Sequence, residues 1–182
     1  MEHLWTGRGD DGTTGLYHGG RVGKDGTEAE AIGSLDEAQA AIGLARAEAE
    51  PGSDLHDSLT ELCRHLYVLM AEVATGPENR HRLVDGTSRV TTEMLARVEA
   101  LTDEAAGRFP PLTDFVIPGQ TRRAALCDIA RTVVRRAERR AVAVAVVGSS
   151  VVPYLNRASS LLWALARADE AEAAGSLLAR ES

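Results

Sequence analysis

The sequence predicts an all-α fold, a five-helix antiparallel bundle with a glycine-rich N-terminal arm, and three observations carry that expectation. Aromatic residues make up only 4% of the 182 while 44% are hydrophobic, and the abundance of alanine and leucine favours close-packed helices over β-branched and aromatic strands. From Ser34 onward, apolar residues recur at intervals of three and four. Nine of the seventeen glycines fall within the first thirty-three residues, which concentrates irregular backbone at one end. A chain of this length is most simply one domain with its own core. The expected organisation is a single domain over 1–182, with the arm at 1–33, the bundle at 34–168 and a short Ala/Glu-rich tail at 169–182.

The elements follow in order. Ser34 and Glu37 have the spacing of a capping box, and Leu35, Ala38, Ile42, Ala45 and Ala49 continue at helical intervals, predicting a first helix that ends near Glu50 before Pro51-Gly52. The second helix is the clearest: Asp54 stands as N-cap, Leu55, Leu59, Leu62, Leu66, Leu69 and Val73 form its stripe, and Gly76-Pro77 stops it. A third is expected from about Thr87 to Ala106 on Val90, Met94, Val98, Leu101 and Ala105. The three prolines of "GRFPPLTDFVIPGQ" keep the next loop largely extended. A fourth helix is predicted from Thr121 to Val147, its β-branched end "VAVAVV" being partly strand-like, and a fifth starts near Ser149-Ser150 and Pro153.

Composition excludes several classes of function. A net charge of -7 and a pI near 5.3 argue against a general nucleic-acid binder, which needs a broad basic surface. The N-terminus has no apolar signal-like core, and no apolar run approaches the ~20 residues of a membrane span, so a cytoplasmic protein without membrane or nucleic-acid partners is expected. Cys63 and Cys127 lie far apart without metal-ligand spacing and are expected to be reduced thiols on packed helices.

Two segments carry chemistry. In "ARTVVRRAERR", five of eleven residues are arginine. At about 100° per residue, Arg131, Arg135, Glu138 and Arg139 share one arc, while Leu126, Ile129, Ala130, Val133, Ala137 and Ala141 take the other side. Like charges one turn apart repel by about 0.2–0.5 kcal/mol per pair. Either acids elsewhere on the surface offset this, or an anion does; a polyphosphate suits the forked guanidinium groups. In "TGRGDDGTTG", glycines at 7, 9, 12 and 15 free the backbone to turn its N–H groups toward one point, with threonine hydroxyls and the nearby Lys24 added. The segment matches neither a P-loop nor a Rossmann fingerprint and reads as a flexible arm or an anion cradle. Asp10 and Asp11 oppose an anion there unless magnesium intervenes.

Taken together, "WTGRGDDGTTGL", "GRVGKD", "GSLDEA", "FVIPGQ", "ARTVVRRAERR" and "YLNRASSLLWALAR" resemble, in content and order, the PduO-type ATP:cob(I)alamin adenosyltransferases, over about Leu4 to Arg167. The resemblance implies ferritin-like five-helix subunits forming a homotrimer, with active sites at the subunit interfaces. It implies transfer of the 5′-deoxyadenosyl group of ATP to the cobalt of cob(I)alamin, with release of tripolyphosphate and magnesium held mainly by the ATP phosphates. By motif position, Thr6, Gly7, Arg8, Gly9, Thr14, Gly15 and Lys24 bind ATP from the arm, and Arg135, Arg136, Glu138, Arg139 and Asn156 from the helices. Arg131 is the further family arginine, with an inter-subunit ion pair expected to the acid at Asp36; these two and Arg135 are the implied catalytic set. Phe115 is implied to crowd the lower face of the corrin. A reductase and an adenosylcobalamin-dependent mutase are the implied partners.

That chemistry fits a sequence in which the five histidines form no evident nucleophilic triad, since cob(I)alamin is itself the nucleophile. What is left for the protein is positioning and leaving-group stabilisation. The sequence departs from the family pattern at Trp5, where Tyr is usual, at Gln120 and Ser160, where Gly and Asp are usual, after Asp36-Glu37, and in "LMAEVATGPENRHRL". Those departures keep open a second function, a non-catalytic ATP/corrinoid carrier delivering adenosylcobalamin to a mutase, and a third, a purely structural helical oligomer.

Overall fold

A computed structural model describes residues 5–173 and 175–180. Met1–Leu4 of the expected arm, and Ala174 and residues 181–182 of the expected tail, lie outside the described residues.

Five α-helices form the body: α1 (Thr27–Ala47), α2 (Asp54–Val73), α3 (Thr92–Ala106), α4 (Arg122–Val142) and α5 (Val151–Ala173). A 3₁₀ helix covers Pro77–Arg82. α4 lies between α1 and α5; α2 packs outside α1 and α3 outside α5, and α2 also reaches α5. Short connections fold α1 onto α2 and α4 onto α5 as antiparallel neighbours. The core is one cluster running through all five helices, with Leu35, Ile42, Leu59, Leu62, Leu69, Val98, Val134, Leu155 and Leu162 at its centre. Alanines fill most of α4's share, Ala124, Ala130, Ala137 and Ala141 being buried. Their small side chains let neighbouring helices approach on both sides of α4.

The strands are short accessories to the helices. β1 (Thr13–Gly15) and β2 (Arg21–Gly23) pair antiparallel, Thr14 opposite Val22, and give the arm a defined hairpin. β3 (Val116–Ile117) pairs antiparallel with β4 (Leu177–Leu178), so the extended loop between α3 and α4 is held by a segment that follows α5.

Helix boundaries correct several expectations. α1 begins at Thr27, seven residues before Ser34, which is buried inside the helix and caps nothing. Its start is uncapped by any side chain, and Glu28 and Glu30 in the first turn favour the helix dipole there. Ser53, not Asp54, caps α2, accepting from the His56 amide at 3.2 Å. α3 starts at Thr92 rather than Thr87, because Val84 O gathers the amides of Thr87, Ser88 and Arg89 into a turn and Thr91 supplies the cap. α4 stops at Val142; the β-branched run beyond it neither continues the helix nor forms a strand, and turns through Gly148 at φ 83°. α5 runs on to Ala173, so Asp169 and Glu170 are buried helix residues.

Candidate functional site

Three turns of α4 project the arginines, and their partners divide them into two groups. Arg131 and Arg135 border a cleft of about 410 Å³ whose walls include Thr102 of α3 and Ser159, Ser160 and Trp163 of α5. Beside it, Asn156 Nδ2 donates to Glu138 Oε1 at 3.2 Å, and Arg139 Nη1 donates to the carbonyl of Arg135 at 3.0 Å. Glu138 therefore engages an amide of α5, leaving Arg135 and Arg139 without a carboxylate ion pair among the described residues. Arg136 and Arg140 turn the other way, toward α1: Arg136 contacts Glu37, and Arg140 Nε lies 3.1 Å from Glu30 Oε1. The spacing that put Arg131, Arg135, Glu138 and Arg139 on one arc is thus realised. The opposite arc is not all core, since Ile129 is 53% exposed and the buried face is centred on Ala130, Val134 and Ala137. α4 is flanked by both α1 and α5, which swings its buried face away from the Leu126–Ile129–Val133 side.

Arg131 is tied inward. Its Nε donates to Asp128 Oδ1 at 2.9 Å, one turn back on α4. Asp36 sits exposed on α1, and within one chain the two do not form an ion pair.

The arm is a separate half. Gly7 at φ 67° and Gly12 at φ 80° occupy backbone conformations that disfavour side chains. Turns bring Asp10 N to Gly7 O at 3.1 Å and Gly12 N to Gly9 O at 3.2 Å. Lys24 Nζ donates to Gly9 O at 2.7 Å, and a Cβ on Gly9 would stand 2.9 Å from that ammonium. Asp11 accepts from the amide and hydroxyl of Thr13 at 2.9 and 2.8 Å; these bonds, with Arg21 nearby, hold its carboxyl below the usual range. Arg21 also donates to Arg8 O at 2.7 Å. Asp11 is therefore already engaged by the hairpin. Among the described residues no hydrogen bond or ion pair joins Thr6–Gly15 or Lys24 to Arg135, Glu138 or Asn156 of the same chain.

Phe115 stands immediately before β3 and is 80% exposed, far from the environment of an ordinary core phenylalanine. Its backbone is fixed on both sides: its amide donates to Asp114 Oδ1 at 2.7 Å, and its carbonyl accepts from Ala179 N at 2.7 Å. An exposed aromatic on an anchored backbone suits an apolar ligand face.

Two buried charge networks escaped the sequence reading. Arg167 on α5 is 1% exposed, between Asp128 and Glu170. Glu72 on α2, also 1% exposed, accepts from Arg80 and Ser149 at 2.7 Å each and from Val90 N at 2.7 Å. The available signal was a charge at a core position: Glu72 follows Leu69 by three, and Arg167, Asp169 and Glu170 interrupt an alanine-rich helix end.

The fold and site together define a helical-bundle protein with a cationic cleft on one face and a glycine-rich cationic hairpin at one end. The chain belongs to the cobalamin adenosyltransferase family, whose profile its residues 4–169 match. It is 39% identical over 174 residues to a corrinoid adenosyltransferase of Mycobacterium tuberculosis, across 92% of this chain and 88% of that one. It is 38% identical over 179 residues to the corrinoid adenosyltransferase PduO of Citrobacter freundii, across 93% of this chain and 50% of that protein. The chain spans about half the length of this relative and of the PduO of Salmonella typhimurium (50% and 53%). A variant PduO-type ATP:corrinoid adenosyltransferase from Lactobacillus reuteri, solved with cobalamin and ATP, superposes with a TM-score of 0.88 over 98% of this chain and 100% of that one. At 23% identity that likeness establishes the fold.

Proposed function

We propose that the protein transfers the 5′-deoxyadenosyl group of ATP to the cobalt of cob(I)alamin, forming adenosylcobalamin and tripolyphosphate. The observation that carries this reading is the convergence of Arg131 and Arg135 on one cleft, beside the Glu138–Asn156 pair, in a chain of this family. The cobalt electron pair forms the Co–C5′ bond while the C5′–O bond breaks, its electron pair leaving with the triphosphate. Arg135 and Arg139 are assigned to the anion that accumulates charge, Arg136 joining them by exchanging Glu37 for phosphate, with Thr6, Gly7, Arg8, Gly9, Thr14, Gly15 and Lys24 enclosing it from the arm. Glu138 and Asn156 orient one another at the cleft edge. Phe115 is assigned to the lower corrin face, where an apolar ring excludes a lower ligand and eases reduction of the cobalt.

Among the described residues no group of three or more His, Cys, Asp or Glu side chains converges. The magnesium of this reading is carried on the triphosphate, in the way this hard ion commonly binds. We assign the active site to the boundary between subunits of a homotrimer: among the described residues no hydrogen bond or ion pair joins Thr6–Gly15 or Lys24 to Arg135, Glu138 or Asn156 within one chain. Arg131 and Asp36, unpaired with each other in the subunit, are assigned to that boundary. Among the described residues no helix is long and apolar enough to cross a membrane, and we place the enzyme in the cytoplasm, with a reductase and an adenosylcobalamin-dependent mutase as partners.

The test is anaerobic turnover with ATP, magnesium, cobalamin and a strong reductant. Adenosylcobalamin should form, and Arg135→Ala should lower kcat/KM by at least about 100-fold. Unchanged turnover in that variant overturns the role of Arg135; tight binding of both substrates without turnover in the wild type favours the carrier.

A further inference from the structure

Arg131 does not end at the cleft; it begins a chain of charges that crosses the bundle. Asp128 is shared, its Oδ1 accepting from Arg131 Nε at 2.9 Å and its Oδ2 from Arg167 Nη2 at 2.7 Å. Arg167 also donates from Nη2 to Glu170 Oε1 at 3.1 Å, while its Nε lies 3.0 Å from Glu170 Oε2, out of line for a hydrogen bond but in Coulombic contact. Glu170 Oε2 accepts from Ser176 Oγ at 2.6 Å, and Glu170 O accepts from Gly175 N at 2.8 Å. Ser176 directly precedes β4, whose pairing partner β3 directly follows Phe115. Ala179 N then closes the path on Phe115 O at 2.7 Å, and Arg180 Nε stands 3.5 Å from Asp114.

We infer that Asp128, Arg167, Glu170 and Ser176 are positioning residues that set the Phe115 loop from the arginine face, with β4 as the strap that transmits the setting. Burial is the argument. Glu170 is 0% and Arg167 1% exposed, and burying such charges is unfavourable unless each is paired. Asp128 divides its two oxygens between the two arginines, so a change in Arg131 alters how Arg167 is neutralised, and Arg167 has Glu170 as its only other carboxylate among the described residues. The Arg167 guanidinium also lies 5.9 Å from the Trp163 ring, a wall of the same cleft, and Trp163 meets Phe109 edge-on at 5.7 Å. The cleft and the Phe115 loop are therefore coupled through a path whose central groups, Asp128, Arg167 and Glu170, are buried.

The consequence for corrinoid use rests on the adenosyltransferase reading, but the coupling does not, and the experiment separates them. Hydrogen exchange at the Ala179 amide, whose acceptor is Phe115 O, is measured in the full unliganded chain. Arg131→Ala and Ser176→Ala should each speed that exchange by about tenfold, Ser176→Thr should restore it, and Arg136→Ala, on the same helix but outside the chain of charges, should leave it unchanged. Exchange in Arg131→Ala equal to that of wild type and Arg136→Ala overturns the relay, whatever the protein binds. In turnover, Ser176→Ala should raise the corrinoid KM by about tenfold while the ATP KM stays within about twofold; equal rises in both overturn the assignment to the Phe115 loop. A wild type without turnover leaves the exchange result standing and counts against the function alone.

Discussion

A single buried carboxylate shows how one residue organises a whole end of this molecule. Glu72 has three donors from three separate segments, Arg80, Ser149 and Val90 N, and so fastens the connections after α2 and α4 to the start of α3. Glu72→Ala removes a buried carboxylate from the partly buried Arg80, the Ser149 hydroxyl and the Val90 amide, and should cost about 3 kcal/mol in urea unfolding. Glu72→Gln, which keeps the shape and part of the bonding, should cost less. Cys127 offers a chemical readout at the same scale: burial, with Asp169 and Asp128 nearby, pushes its thiol up to about 12. The half-buried Cys63 thiol is also raised, by burial, though Arg46 opposes the shift. A disulfide-exchange reagent at pH 8 should therefore modify Cys63 slowly and Cys127 only on unfolding. At this scale the residues of the proposed site were easier to read in the sequence than those that support them. Arg135, Glu138 and Asn156 stood in recognisable motifs, whereas Asp128, Arg167 and Glu170 looked like ordinary charges because only tertiary burial distinguishes them.

Helices were legible wherever one face met the core, and their starts were legible only where a side chain made the cap. Leu59, Leu62, Leu66 and Leu69 of the α2 stripe are buried as their period required, with Leu55 and Val73 at its ends partly buried, and Thr121 caps α4 through the Ala124 amide at 3.0 Å. The start of α1 could not be read, because Gly26 caps without a side chain and Ser34 with Glu37 mimics a signal that the longer helix never uses. The pairing of β3 with β4 was equally hidden: two residues on each side, some sixty positions apart, leave no periodic trace. Thr121 also contacts buried Asp169 of α5. Thr121→Ala should accordingly lose about 1–2 kcal/mol, as a cap and an inter-helix bond go together, read as a fall in urea midpoint. Between α2 and α5 the link is His65 Nδ1, 2.7 Å from the buried Tyr154 hydroxyl. Burial lowers the His65 pKa, with Glu61 opposing and Arg97 adding to the shift. The unfolded chain thus takes up this proton first as pH falls. The stability involved is fully present above the unfolded value, about 6.5, and is lost as pH drops below it through the folded value. His65→Gln should flatten the decline in urea midpoint between pH 7 and 5.5.

At the scale of the whole molecule, the two halves of the proposed site make a prediction that no single subunit can satisfy. The hairpin carries Lys24 and the glycine turns, the cleft carries Arg131 and Arg135, and among the described residues no hydrogen bond or ion pair joins the two within the chain. An arm-dead variant, Lys24→Ala with Gly9→Val, and a helix-dead variant, Arg135→Ala, should each be inactive alone. If each site takes its arm from one subunit and its cleft from the next, a good site in a mixed trimer needs the arm of the second variant and the helix of the first. Random reassembly at equal amounts satisfies both conditions with probability one half each, so about a quarter of wild-type activity should return in a closed ring of heterologous contacts. Sites built within one chain would recover nothing on mixing, and that result would remove the interface from the proposed mechanism while leaving the chemistry of the arginine cleft intact. The exposed Ile129 on α4 is a residue that such a contact could cover. Ile129→Asp should then lower the apparent mass in solution and abolish the recovered activity together, since loss of the ring removes the neighbour that completes each site.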